Sequence, residues 1–146
     1  MRLRTLVVVV AVALMFALSS PPPVQAQSSA NVVWTQMQSA YTAANLNGYT
    51  LRNYVIGRLD PSASDTWTFP LRAGKEYVIV GACDEDCTDV DVTVTQGSAQ
   101  VASDVTTDDH PVVGFTAGKG GVHEIVIKMY SCDASFCYFG FGLFEN

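Results

Sequence analysis

Catalytic vocabulary is scarce in this chain. Its 146 residues include two histidines, His110 and His123, and no Gly-x-Ser-x-Gly, His-Glu-x-x-His or phosphate-cradling glycine loop. No nucleophile-and-base or metal-hydrolase signature therefore points to an enzyme. Each histidine is expected at the surface, His110 ahead of Pro111 in a turn and His123 at the start of a strand. A small hydrolase remains the enzymatic alternative, although a glycosidase needs a separated carboxylate pair in a cleft. Basic residues are also few: eight Lys and Arg stand against fourteen Asp and Glu, a net charge of −6. That balance repels nucleic acid and anionic membranes.

Long apolar runs are missing, with one exception. Thirteen apolar residues from Leu6 to Leu18 follow two arginines and precede a Ser/Pro-rich stretch ending Val24-Gln25-Ala26. This is the pattern of a secretory signal peptide over residues 1–26, and the run falls short of the roughly 20 residues that span a bilayer. No cysteine lies near the expected cleavage point to carry a lipid anchor. The remainder keeps all fourteen acids but loses two of the eight basic residues, so its net charge is −8. A secreted or periplasmic protein of one domain is implied.

Val33, Met37, Tyr41 and Ala44 recur at helical spacing, which predicts a helix over about Ser29–Ala44, capped by Ser28 or Ser29 and ended by Asn47-Gly48. Residues 27–48 then form an N-terminal helix and linker ahead of a domain over 49–146. After Gly48 no helical period survives. Short runs rich in Val, Ile, Thr and aromatics predict strands at about Tyr49–Arg58, Asp65–Leu71, Glu76–Cys83, Asp89–Thr95, Gln100–Ser103, Val112–Thr116, Val122–Tyr130 and Cys137–Phe144. In Asp89–Thr95 the three valines are expected inward and the Asp/Thr set toward water. The almost wholly apolar Glu76–Ala82 reads as a central strand. Turn signals without intervening helices predict an all-β antiparallel sandwich of seven to eight strands, with Trp67, Phe69, Phe115, Phe139, Phe141 and Phe144 as core or near-core groups.

Four cysteines in an exported chain imply disulfides. Cys83/Cys87 and Cys132/Cys137 each bracket a short loop, so local pairing is the default; pairing between the two loops and a four-thiolate zinc site are the alternatives. Between Cys83 and Asp91 lie five carboxylates, Asp84, Glu85, Asp86, Asp89 and Asp91. Such density needs solvation or a cation. Hard oxygens suit Ca²⁺, and Asp104, Asp108 and Asp109 in a later loop could close the same site. The alternative is a solvated acidic loop.

The run Leu71-Arg72-Ala73-Gly74-Lys75-Glu76-Tyr77, the Asp-x-Asp of Asp89-Val90-Asp91, then Gly97 with Val101-Ala102-Ser103-Asp104, and Gly120-Gly121 with Val126 together resemble the bacterial pre-peptidase C-terminal (PPC-like) domain. The resemblance spans roughly Ser64 to Phe144. It implies a jelly-roll-like β-sandwich, makes Asp89, Asp91 and Asp104 the acidic motif positions, and raises Ca²⁺ binding, since some relatives bind it. Family members usually trail a secreted peptidase and help its secretion, localisation or substrate attachment. This chain lacks a peptidase domain and adds two cysteine pairs, the mark of a stand-alone, cysteine-containing form. The resulting expectation is an exported, non-catalytic, Ca²⁺-stabilised binding module for an extracellular or periplasmic polysaccharide or protein. A structural subunit that pairs through an edge strand such as Cys137–Phe144, or an accessory to a secreted peptidase, is the alternative.

Overall fold

Three consecutive prolines at 21–23 mark where a helix can begin, because proline is tolerated only in a first turn. In the computed structural model, which describes residues 24–146 and their side chains from 28 onward, helix α1 runs Val24–Leu46. The leader expected over 1–26 lies, up to residue 23, outside the described residues. The helix begins five residues earlier than the sequence reading placed it. Its C-terminus closes as expected: Gly48 takes φ +84°, while the Tyr49 N–H donates to Ala44 O and the Gly48 N–H to Asn45 O, both at 3.0 Å. That is a Schellman cap, which glycine accepts without steric cost.

Eight strands follow: β1 Thr50–Leu59, β2 Ser64–Leu71, β3 Glu76–Cys83, β4 Cys87–Gln96, β5 Ala99–Asp104, β6 Val112–Thr116, β7 Gly121–Cys132 and β8 Cys137–Glu145. They form two antiparallel four-stranded sheets, ordered β1-β8-β3-β6 and β2-β7-β4-β5. The chain crosses from one sheet to the other at every connection except the β4–β5 hairpin, which is the jelly-roll arrangement. The interior is filled by the inward-facing residues of both sheets, among them Ile79, Val92, Val94, Ile125, Ile127, Phe139, Phe141 and Leu143. Trp67 packs edge-on against Phe141 at 5.3 Å between ring centroids, and Phe69 against Phe141 at 6.3 Å. β3 is central, between β8 and β6, as its apolar sequence predicts.

The outer face of the first sheet carries α1. Strand alternation sends Phe139, Phe141 and Leu143 inward and leaves Gly140 and Gly142 on the helix side. A Cβ on Gly140 would meet Val33 Cγ1 at 2.9 Å and Met37 Cγ at 3.1 Å. The bare backbone there is what lets the helix seat. Val33, Met37 and Ala82 form a second buried cluster, with Ala40, Ile56 and Tyr138 against it. Tyr41, expected on the buried stripe, is 48% exposed instead. A true 3.6-residue period puts Ala40 under the helix and rotates Tyr41 to its flank.

Three further expectations are corrected. Cys137–Phe144, offered as an edge strand for pairing with another chain, is interior, because β8 is hydrogen-bonded to β1 on one side and to β3 on the other. His123 is 1% exposed; it sits in register with Phe69 at an inward position of β7, and its Nδ1 lies 3.0 Å from Gly121 O. Asp89 is not on a wet face but 6% exposed, because register shifts on both sides of it, against β7, break the alternation of β4.

Candidate functional site

The acidic residues and the cysteines meet at one end of the sandwich. Disulfides join Cys83 to Cys87 and Cys132 to Cys137, the local pairing. All four thiols are consumed, which removes the thiolate zinc site and the cross-paired alternative. Cys87 and Cys132 are register partners, so the two rings lie side by side. Each ring stabilises by about 2 kcal/mol in the chain-entropy account, so its main effect is on loop shape.

Asp84 and Asp86 sit within that end. The Asp84 Oδ2 accepts the Tyr138 N–H at 2.7 Å and its Oδ1 accepts the Asp86 N–H at 3.3 Å. Burial nonetheless raises its carboxyl above the ordinary aspartate value, with those backbone donors opposing the shift. Asp104, the register partner of Val92, accepts Thr106 Oγ1 at 2.7 Å and the Val112 N–H at 2.9 Å, donors that lower its pKa, and its charge repels Asp91. Asp108 accepts the His110 N–H and Thr106 Oγ1, and Asp109 lies beside the exposed His110. Asp89 and Asp91 are both raised, chiefly by burial, with repulsion from Asp108 acting on both; Lys128, the register partner of Asp91, opposes the shift in each.

Ca²⁺ takes six to eight oxygens. Among the described residues no group of three or more His, Cys, Asp or Glu side chains is arranged to hold a metal ion. Asp84 and Asp104 spend their oxygens on backbone and hydroxyl donors, and Lys128 already offers a cation to Asp89 and Asp91. Among the described carboxylates, Asp89 Oδ1 is fully buried and has no hydrogen-bond partner. As their side chains stand, no three of Asp84, Asp86, Asp89, Asp91 and Asp104 are arranged to hold a metal ion.

A different constellation lies at the β1 edge. β1 contains one irregularity: Leu51 pairs with Phe144 and Asn53 with Leu143, so Arg52 is an extra residue in a bulge. Bulges bend an edge strand and re-aim a side chain. Here Arg52 is turned onto Glu145, its Nη2 donating to Oε1 at 2.7 Å. Arg72 donates from Nη2 to the same oxygen and from Nε to Oε2 at 3.3 Å. The Tyr77 hydroxyl donates to Oε2 at 2.7 Å and accepts the Arg72 N–H at 2.9 Å. One buried carboxylate thus holds two half-exposed guanidiniums, 45% and 59% accessible, at fixed positions. Those donors, Arg52 first, lower the Glu145 pKa to about 2. A cavity of about 330 Å³ opens beside them, lined also by Asn53, Phe69 and Leu143.

The opposite face of the same two strands lines a groove under the helix. Trp34, Met37, Gln38 and Tyr41 from α1 face Leu51 and Tyr54 of β1 and Gly142 and Phe144 of β8 across about 220 Å³. The Trp34 and Tyr54 rings are 5.9 Å apart at 52°. Trp34, Tyr41 and Tyr54 are 42%, 48% and 51% exposed. No Asp, Glu, Lys, Arg or His is in the lining.

Neither feature was singled out from sequence. The Trp34, Gln38, Tyr41 spacing is a second helical stripe flanking the buried one, and Gly140-x-Gly142 marks a strand face that must leave room. Those signals were present. The bulge that aims Arg52 had none.

No family model matches the chain, and no curated protein does. Among solved structures, a periplasmic inhibitor of g-type lysozyme from Aeromonas hydrophila aligns over 64% of this chain and 85% of its own, at 12% identity and a TM-score of 0.47. The pre-peptidase C-terminal domain of the Bacillus anthracis collagenase covers 64% of this chain and 89% of that domain, at 15% identity and a TM-score of 0.53. That second likeness, with the strand order above, makes this chain a jelly-roll sandwich with the fold of the pre-peptidase C-terminal domain.

Proposed function

We propose that this protein is an exported, non-catalytic module that binds a polysaccharide in the groove between α1 and the first sheet. One observation carries the reading: Trp34, Tyr41 and Tyr54 present half-exposed rings around an uncharged groove. Aromatic side chains offer an apolar face and a polar rim at low entropic cost. The Trp34 indole N–H, the two phenol hydroxyls and the Gln38 amide make no hydrogen bond among the described residues. Sugar rings, with apolar C–H faces bordered by hydroxyls, complement such a surface.

Export rests on the leader pattern, and the two disulfides fit an oxidising compartment. No helix among the described residues is long and apolar enough to cross a membrane. The non-catalytic reading rests on the sequence's lack of a nucleophile-and-base set and on Glu145 being saturated with donors, which leaves it no basic role.

Trp34 and Trp67 are the two tryptophans, so Trp67→Phe yields a single-tryptophan protein whose emission reports the groove. Titration with neutral and acidic oligosaccharides is expected to change Trp34 emission saturably, and Tyr54→Ala to weaken binding about tenfold. Saturable binding of a folded peptide or protein partner, with no oligosaccharide response, would replace the polysaccharide by a protein ligand.

A further inference from the structure

The groove and the Arg52/Arg72 cavity share two strands. Leu51, Tyr54, Gly142 and Phe144 line one, while Arg52, Asn53, Leu143 and Glu145 line the other. Because strand residues alternate faces, the two cavities sit back to back across the β1 edge. Nothing pairs with the outer side of that strand within its sheet, so a chain can pass from one to the other.

The cavity carries charge that the fold does not consume. Two guanidiniums face one carboxylate, so one positive charge is left over in a chain of net −6. Each guanidinium presents five N–H donors in a planar fork. Arg52 spends only Nη2 on Glu145, and Arg72 spends Nε and Nη2. Nε and Nη1 of Arg52 and Nη1 of Arg72 make no hydrogen bond with other described residues. Glu145 is 7% exposed and clamped by Tyr77, so the forks are held before any ligand arrives. Preorganised donors lose little entropy on binding. An anionic group placed here gains charge-assisted hydrogen bonds from a site that faces solvent.

We propose that Arg52 and Arg72 form a carboxylate subsite, and that the polysaccharide of this module is acidic, built of uronate units. One sugar ring lies on the Trp34/Tyr54 groove and the carboxylate of a neighbouring unit reaches over the β1 edge to the guanidiniums. This rests on the saccharide reading of the groove and adds the charge of the ligand to it.

The test uses the oxidised protein without its leader, with trigalacturonate, its trimethyl ester and a short peptide with a free C-terminal carboxylate as probes, measured by calorimetry and Trp34 emission. Trigalacturonate is expected to bind at least tenfold more tightly than the ester. Arg52→Gln and Arg72→Gln are expected to bring the acid down to the ester's affinity while leaving the ester unchanged. Arg58→Gln, which removes the same charge at the far end of β1, is expected to leave both unchanged. Melting curves establish that each variant is folded; should Arg72→Gln unfold, Arg52→Lys keeps the charge, loses the fork and is expected to weaken the acid alone. Equal affinity for acid and ester overturns the carboxylate subsite and leaves the groove reading standing. Binding of neither overturns both. Tighter binding of the peptide than of trigalacturonate overturns the uronate assignment.

Discussion

Gly140→Ala should destabilise the protein by about 1 kcal/mol, and the reason lies entirely in how α1 is seated. The added Cβ would stand 2.9 Å from Val33 Cγ1, 3.1 Å from Met37 Cγ and 3.3 Å from Val55 O, so the helix must retreat by a few tenths of an ångström. Overpacking of this kind costs about 1–3 kcal/mol. Replacing glycine also restricts the unfolded chain, which offsets about 0.5–1 kcal/mol of that. The net effect corresponds to a fall of about 4 °C in melting temperature for a domain of this size. The informative assay is a double-mutant cycle with Val33→Ala. Val33 is fully buried, so its truncation alone should cost about 2 kcal/mol. It also removes the methyl group that the new Cβ meets. In the Val33→Ala background Gly140→Ala should therefore be neutral or mildly stabilising, a coupling of about 1 kcal/mol. Equal costs for Gly140→Ala in both backgrounds would mean that α1 does not rest on this glycine, and the groove beside it would lose its wall.

The Glu145 pKa, lowered to about 2 from an ordinary 4.5, makes a pH-dependent contribution. It is fully present above 4.5 and fades as pH falls toward 2, because the unfolded state then binds the proton first. Glu145→Gln should thus lower the melting temperature at neutral pH, with the gap closing over that interval in pH-resolved scans. Asp89, raised by burial and by Asp108, works in the opposite sense: Asp89→Asn should stabilise by less than about 1 kcal/mol at pH 7, and the gain should vanish once pH falls below the ordinary aspartate range. Reducing both disulfides should cost about 4 kcal/mol and loosen the acidic end while the far-ultraviolet β spectrum persists below the lowered transition. Millimolar CaCl₂ should shift the melting temperature no more than MgCl₂ of equal ionic strength; a calcium-specific rise abolished by Asp89→Asn would show a coordination sphere the present geometry lacks.

The sandwich was legible because its signals are local. The Val90, Val92, Val94 alternation, the Gly74 and Gly97 turns with φ of +74° and +61°, and the cysteine spacing each act over a few residues. His123 was legible in principle, since it shares its parity with the buried Ile125, Ile127 and Met129. Its place at the start of a strand pointed to the surface instead. Asp89 could not be placed from pattern, because a register shift changes facing without changing composition. Tyr41 was misplaced by an integer spacing of four where the helix needs 3.6. The Arg52, Arg72, Tyr77 and Glu145 network spans contacts of up to 93 residues in sequence separation, and no local pattern encodes it.

Ligand binding in the α1 groove and at Arg52 and Arg72 is the central claim, and the surface that a ligand touches decides it. Amide and indole shift mapping of the isotope-labelled oxidised protein with trigalacturonate should perturb residues 34–41, 51–54, 72 and 142–145, including the Trp34 indole, and leave the outer face of the β2-β7-β4-β5 sheet unmoved. Perturbations centred on Asp84–Asp91 and the disulfide rings, with the Trp34 indole silent, would contradict it.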